Sequence, residues 1–377
     1  MNNSELYYGD NLDVLRNKIK DDTIDLCYID PPFNSKRNYF QIYTNVGKED
    51  QAQAQAFIDA WTWNALADRA LLEIIGNEGG RYTRQTIELI KGLDAVLGRS
   101  GLLSYLVSMT QRVNEIQRVL KPTGSFYLHC DPTASHYLKL ILDSVFCARG
   151  GDFRNEIIWC YRRWTAVSNK FQRIHDVVLY YTKSDKGITF NIQYEPYGDW
   201  IKKDYGYIDE ETGKRWRWHT VKGNRYKVFL EDENKGVKIG DWWQINILGS
   251  TAKERLGYPT QKPEALLERI IQASSNEGDV ILDAYCGCGT TVAVAQRLKR
   301  QWIGIDITYQ SIAVVLKRLE EQFGAAVLNT IALNGIPRDM DSAIALANKK
   351  DDRVRKEFEK WAILTYSKNH AIINEKK

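Results

Sequence analysis

Asp30-Pro31-Pro32-Phe33 closes the apolar run Ile24-Asp25-Leu26-Cys27-Tyr28-Ile29. The run reads as a short buried strand, because two prolines cannot continue a sheet ladder and must lie just past its carboxyl edge. Proline has no N–H, so the backbone there offers carbonyl acceptors beside one carboxylate and one aromatic face. Acceptors without donors suit a ligand that brings an amino group. Taken alone, the tetrapeptide could equally be a simple turn. Far downstream, Val280-Ile281-Leu282-Asp283 reads as another strand, and Ala284-Tyr285-Cys286-Gly287-Cys288-Gly289-Thr290-Thr291 turns it into a helix over residues 292–298. Two glycines one residue apart let the backbone turn tightly and approach a ligand, and the helix behind them offers free N–H groups. The next strand, Trp302-Ile303-Gly304-Ile305-Asp306, ends in an acid that can accept from both hydroxyls of a ribose. Val292 stands where a dinucleotide fingerprint carries its third glycine, so the pattern points to a nucleoside-containing cofactor without being that fingerprint.

Both stretches need a sheet whose carboxyl edge brings them to one crevice. Gly9-Asp10 precedes a helical pattern over residues 12–20, and Asp10 by itself reads as that helix's N-terminal cap. Residues 34–39, polar, basic and aromatic, read as a loop over the crevice. Residues 48–120 read as mostly helical, with Phe57, Trp61, Ala65 and Leu66, then Ile87, Ile90 and Leu93, at helical spacing; Trp61 and Trp63 read as packing. Ser125-Phe126-Tyr127-Leu128-His129-Cys130-Asp131 is a strand ending in a polar corner, a helix follows over 135–146, and residues 155–161 and 176–182 are two more strands. This alternation predicts a mainly parallel α/β sheet.

The texture changes over residues 185–258. There Trp200, Tyr205, Tyr207, Trp216, Trp218, Tyr226, Trp242 and Trp243 interleave with Lys202, Lys203, Lys214, Arg215, Arg217, Lys222, Arg225 and Lys227. Cations neutralise phosphates and aromatics stack on bases, so the stretch reads as a nucleic-acid module; a small β-rich subdomain filled by its own aromatics is the alternative. With 377 residues and 44% hydrophobic content there is ample material for a core, and a net charge of +4 permits an anionic partner only through a local basic surface. The six cysteines form no C-x-x-C pair, which disfavours a disulfide framework and a zinc site. Met1-Asn2-Asn3-Ser4-Glu5 lacks a basic-then-apolar leader and no run reaches the ~18 apolar residues of a membrane span. A soluble cytoplasmic protein with no bound metal and no membrane contact is expected.

Three motifs, Asp30-Pro31-Pro32-Phe33, then Pro259-Thr260-Gln261-Lys262-Pro263, then Asp283-Ala284-Tyr285-Cys286-Gly287-Cys288-Gly289-Thr290, stand in the order seen in the β group of S-adenosylmethionine-dependent DNA amino-methyltransferases. The chain resembles that group over residues 4–325, with Ala284, Tyr285 and Cys288 where Pro, Phe and Ser are common. The resemblance implies a Rossmann-like class I methyltransferase sheet with permuted motif order. It implies a catalytic half over residues 1–184, a target-recognition region over 185–258, a cofactor half over 259–330 and a helical extension over 331–377. It implies that Asp30, Pro31, Pro32 and Phe33 act on the base. Asp10, Lys262, Asp283, Cys286, Gly287, Gly289, Thr290 and Asp306 would hold S-adenosylmethionine, with Lys262 on its carboxylate, Asp306 on its ribose and Asp10 at its adenine. The implied partner is double-stranded DNA, with a homodimer and a cognate restriction endonuclease as further expectations. Asp at the head of the catalytic motif is commoner among adenine-N6 enzymes, whereas Ser-Pro-Pro is typical of cytosine-N4 enzymes. No Cys follows a Pro, unlike in cytosine-C5 enzymes. A DNA-binding protein with a degenerate methyltransferase core is the alternative from another class.

Overall fold

The computed structural model describes residues 4–32, 37–41, 44–45, 48–49, 54–59, 61–163, 169, 171–198, 201–230, 236–258 and 260–336. Its central strand is β2 (Ile24–Ile29), buried at every position, as a strand covered on both faces must be. Alternation sorts the two faces. Cys27 and Ile29 join a core built with helices α1 (Asn11–Lys18), α2 (Ala65–Gly76), α3 (Arg84–Leu97), α4 (Gly101–Val119) and α5 (Ser135–Val145). Leu26 and Tyr28 join the other core, with α6 (Glu264–Ser274), α7 (Thr290–Arg297) and α8 (Tyr309–Phe323).

The remaining strands of this sheet are β1 (Ser4–Tyr8), β3 (Leu120–Cys130), β4 (Asp152–Cys160), β5 (His175–Thr182), β6 (Trp242–Gln244), β7 (Val280–Asp283), β8 (Gln301–Asp306) and β9 (Ile331–Asn334). Their order is β6-β4-β5-β3-β2-β7-β8-β1-β9. Only β5 runs against its neighbours, pairing antiparallel with β3 and β4; every other pairing in the sheet is parallel. The α/β sheet expected from the sequence is therefore present. Leu282 pairs with Cys27, which sets the end of β7 beside the end of β2. Two stretches far apart in the chain thus share one edge.

Three readings of the sequence need correction. Residues 54–59, included in the helical stretch 48–120, form a strand paired antiparallel with residues 37–41. Helix α2 cannot extend back toward Phe57, because Asn64 sits in extended backbone and its side chain caps the Leu66 and Ala67 N–H groups at 2.9 and 3.1 Å. Ile331–Asn334, assigned to the helical extension, is edge strand β9 on β1. Trp242–Gln244, within the stretch assigned to target recognition, extends the main sheet through β4. Between β5 and β6 the chain instead folds a three-stranded antiparallel sheet of Tyr207–Ile208, Arg215–Val221 and Asn224–Phe229. No helix among the described residues is long and apolar enough to cross a membrane.

Candidate active site

A cavity of about 570 Å³ opens at the carboxyl edge of β2, β7 and β8. Asp30 enters it one residue past β2, beside Pro31 and Pro32. Phe33 lies outside the described residues, as do residues 34–36 and Pro259. One oxygen of Asp30, Oδ2, takes an ion pair from Lys262 Nζ. The other, Oδ1, stands 3.4 Å from His129 Nδ1.

On the far wall, the chain leaves β7 at Asp283 and turns through Gly287 (φ +49°) and Gly289 (φ +74°). Both lie in the left-handed region that favours glycine. At position 289 space forbids a side chain as well, since a Cβ would stand 2.8 Å from Val315 Cγ2. Gly289 also opens α7, so no side chain caps that helix. Its first N–H groups are left for an anion or for solvent. Arg318, 2% exposed, braces the turn from behind by donating to the Cys288 carbonyl (3.3 Å) and Thr290 Oγ1 (3.1 Å) while pairing with Glu264. Cys286 is buried and fixed by its N–H to the Ile305 carbonyl at 3.0 Å.

Asp306, at the end of β8, accepts from the Gly287 N–H at 3.0 Å through Oδ2 and from Thr308 N–H and Oγ1 through Oδ1. Burial nonetheless raises its carboxyl. Asp283 is raised as well, to about 7: burial dominates, Asp30 and Asp306 add repulsion, and hydrogen bonds from Thr291 and the Tyr285 N–H oppose it. Asp10 fulfils its capping expectation, accepting from the Leu12 N–H at 2.8 Å, and also lines the cavity. Arg112 Nη2 pairs with Asp10 Oδ2 at 3.1 Å, and its Nε donates to Asn11, whose amide reaches the Ala284 carbonyl at 2.8 Å. This chain of contacts ties α1 and α4 to the glycine turn.

Four carboxylates, Asp10, Asp30, Asp283 and Asp306, face the cavity with two cations, Lys262 and Arg112, each already paired with one of them. That surplus of acceptors suits a ligand carrying positive charge and hydroxyls, as S-adenosylmethionine does, and the volume falls in the range of cofactor sites. Sequence reasoning named Asp10, Asp30, Pro31, Pro32, Lys262, Asp283, Cys286, Gly287, Thr290 and Asp306, all of which line this cavity; Gly289 shapes it from behind. It missed Arg112, Trp61, Tyr258 and His129. Trp61, read as packing, lines the cavity as well as meeting Tyr105 edge-on. Tyr258 lays its ring within 3.5 Å of where a Cβ on Gly287 would be. His129 was read only as part of the polar corner that ends β3.

An open α/β sheet with a cavity of this size at its carboxyl edge, an Asp-Pro-Pro corner on one wall and a glycine turn on the other, has the form of a nucleoside-cofactor site. The family described as DNA methylase, covering N6 and N4 enzymes, matches residues 24–317, and the chain belongs to it. It is an S-adenosylmethionine-dependent DNA methyltransferase. Among its relatives is the type II methyltransferase M.HpaI of Haemophilus parainfluenzae, 29% identical over 72% of this chain and 74% of that protein. Another is the DNA adenine methyltransferase YhdJ of Escherichia coli, 27% identical over 84% of this chain and 82% of that protein. The solved PvuII DNA methyltransferase, described as cytosine-N4-specific, aligns at 15% identity over 88% of this chain and 95% of its own, with a TM-score of 0.47.

Proposed function

We propose that the chain methylates the N6 amino group of adenine at a specific sequence in double-stranded DNA. The observation that carries this reading is the placement of Asp30: a carboxylate next to donorless Pro31 and Pro32, at the edge of a cavity whose opposite wall is the glycine turn. An exocyclic amine is a weak nucleophile because its lone pair is delocalised into the ring. Asp30 and the Pro31 carbonyl would accept its two hydrogens and direct the lone pair into the cavity, and Asp30 is the nearest acceptor for the proton the nitrogen loses. Bound in the cavity, S-adenosylmethionine supplies an electrophilic methyl on a sulfonium. Asp306 would hold its ribose, Asp10 and Arg112 its adenine end, and the first N–H groups of α7, with Lys262, its carboxylate. Positioning and electrostatics then supply the catalysis, with no covalent enzyme intermediate.

A paired amine is out of reach inside a duplex, so the base must flip into the crevice. Adenine is favoured over cytosine by Asp30 at the head of its motif and by the likeness to YhdJ, named a DNA adenine methyltransferase. Residues 185–241 would read the target sequence, and a cognate endonuclease cutting the same unmethylated site would complete a restriction-modification pair. The test is digestion to nucleosides of mixed-sequence DNA incubated with the chain and methyl-labelled S-adenosylmethionine, with Asp30→Ala as control. Label in N6-methyladenosine that vanishes in the control is the expected result. Label in N4-methylcytidine would replace the base, and no label with cofactor bound would overturn the reading.

A further inference from the structure

Behind Asp30, away from the cavity, stands a fully buried histidine. Register explains why. Ile29 pairs with Leu128, so the next step along β2 and β3 sets Asp30 beside His129, and His129 pairs with Val178 on β5, two residues from Asp176. The imidazole lies between two carboxylates, with Nδ1 3.4 Å from Asp30 Oδ1 and Nε2 3.4 Å from Asp176 Oδ2. The Tyr28 hydroxyl stands 3.1 Å from Nδ1, and Trp159 meets the ring edge-on at 5.4 Å between centroids. Four adjacent strands thus hold one ring, and its side chain exposes no surface.

We infer that His129 is the positioning residue for Asp30, donating from Nδ1 to Oδ1 while Asp176 holds the ring through Nε2. This rests on the reading of Asp30 as the acceptor for the target amine. A carboxylate oxygen accepts, so the contact with Asp30 asks for a proton on Nδ1, for which the Tyr28 hydroxyl at 3.1 Å is a second, nearer acceptor. Burial works to raise the Asp176 carboxyl, but hydrogen bonds from His129 and Tyr161 and the nearby charge of Lys262 hold it below the usual range, which leaves it an acceptor. Lys262 grips the other Asp30 oxygen, yet an ammonium on a flexible four-carbon stem constrains direction poorly. The rigid contact is the ring, and through it the two amine-accepting groups of the Asp-Pro-Pro corner keep their mutual geometry.

The imidazole's two nitrogens can be replaced separately. Asn at 129 places its amide where Nδ1 stands and keeps a donor toward Asp30; Gln places its amide near Nε2 and keeps only the contact with Asp176. Single-turnover methyl transfer should fall about 100-fold or more in His129→Gln, as expected when a reacting group loses its position, and stay within about 10-fold of wild type in His129→Asn. Dissociation constants for DNA and for S-adenosylmethionine should change less than about 3-fold in both, because His129 touches neither ligand. Asp176→Asn should lower the rate in the same manner. In the chain without ligands, selective ¹⁵N-histidine labelling of its five histidines should show one protected Nδ1–H signal, lost in His129→Gln. Gln matching or surpassing Asn, both variants turning over at the wild-type rate, a loss confined to affinity, or no protected Nδ1–H would each overturn the assignment. Wild-type and Asp30→Ala chains separate the two levels. If wild type labels DNA and Asp30→Ala does not, the result bears on His129 alone; if wild type labels none, the functional reading fails and takes this inference with it.

Discussion

At Asp283 the demands of the site and of the fold oppose each other. Its carboxyl is buried among Asp30 and Asp306, and its raised value of about 7 means that the folded chain holds a proton there which the unfolded chain has released. The sign follows from linkage: with a folded value above the ordinary carboxylate value of 3.8, stability contributed by the protonated group is present at low pH and is lost as pH rises from about 4 through 7. Asp283→Asn keeps the shape and removes that loss. Its melting temperature should exceed that of wild type by more at pH 8 than at pH 5, corresponding to a few kcal/mol at the higher pH. Thermal melts across that pH range check it, and equal differences at both pH values would refute it. Identity at this scale was readable where one residue type is chemically required, as with Asp30, Asp306 and the two glycines. It was not readable for Arg112 or Trp61, whose roles depend on which helix face meets the cavity, and no local pattern encodes that.

The glycine turn is the element on which the cofactor wall depends, and its two glycines do different work. Gly287 takes φ +49° with its N–H bound to Asp306, so it links the end of β8 to the turn. Gly289 combines φ +74° with a missing Cβ that lets α8 approach through Val315. Gly289→Ala therefore meets both strain and overlap and should destabilise the fold by about 1–3 kcal/mol. It should also weaken S-adenosylmethionine binding more than DNA binding, measured by calorimetry against each ligand separately. Unchanged cofactor affinity in a folded variant would show that the turn serves packing only. Strands such as β2 and β7 were legible because continuous apolar runs with proline or glycine at their ends admit few other structures. The strand at residues 54–59 was not, since Phe57, Trp61 and Ala65 mimic a helical repeat across the Asn64 cap that breaks it.

At the scale of the whole molecule, a net charge of +4 is too small to draw DNA in by itself, so the attraction must be local. The hairpin Arg215–Val221 to Asn224–Phe229 is the surface we propose for it. Val221 pairs with Asn224 across the two-residue loop Lys222-Gly223, whose φ values of +50° and +83° give the twisted turn that suits a hairpin. Trp218, His219, Lys222, Arg225 and Tyr226 are exposed along it, whereas Lys227 is engaged with Asp209. Some of the aromatics pack on one another, Tyr207 stacking on Trp216 at 4.6 Å and Trp218 meeting Trp216 edge-on at 5.1 Å, while Tyr207, Trp218 and Tyr226 all remain about half exposed. Sequence alone could not show these pairings, because strand register decides which rings meet. If the hairpin's exposed cations contact phosphates, Lys222→Asn, which tolerates the left-handed backbone, combined with Arg225→Gln should weaken DNA binding across all sequences. Each phosphate that is no longer neutralised should make the slope of log affinity against log salt shallower by about 1, hence by about 2 for the double variant. S-adenosylmethionine affinity should not change. An unaltered slope would place the DNA elsewhere, and a change in which sites are methylated with little change in slope would mean that these side chains touch base edges instead.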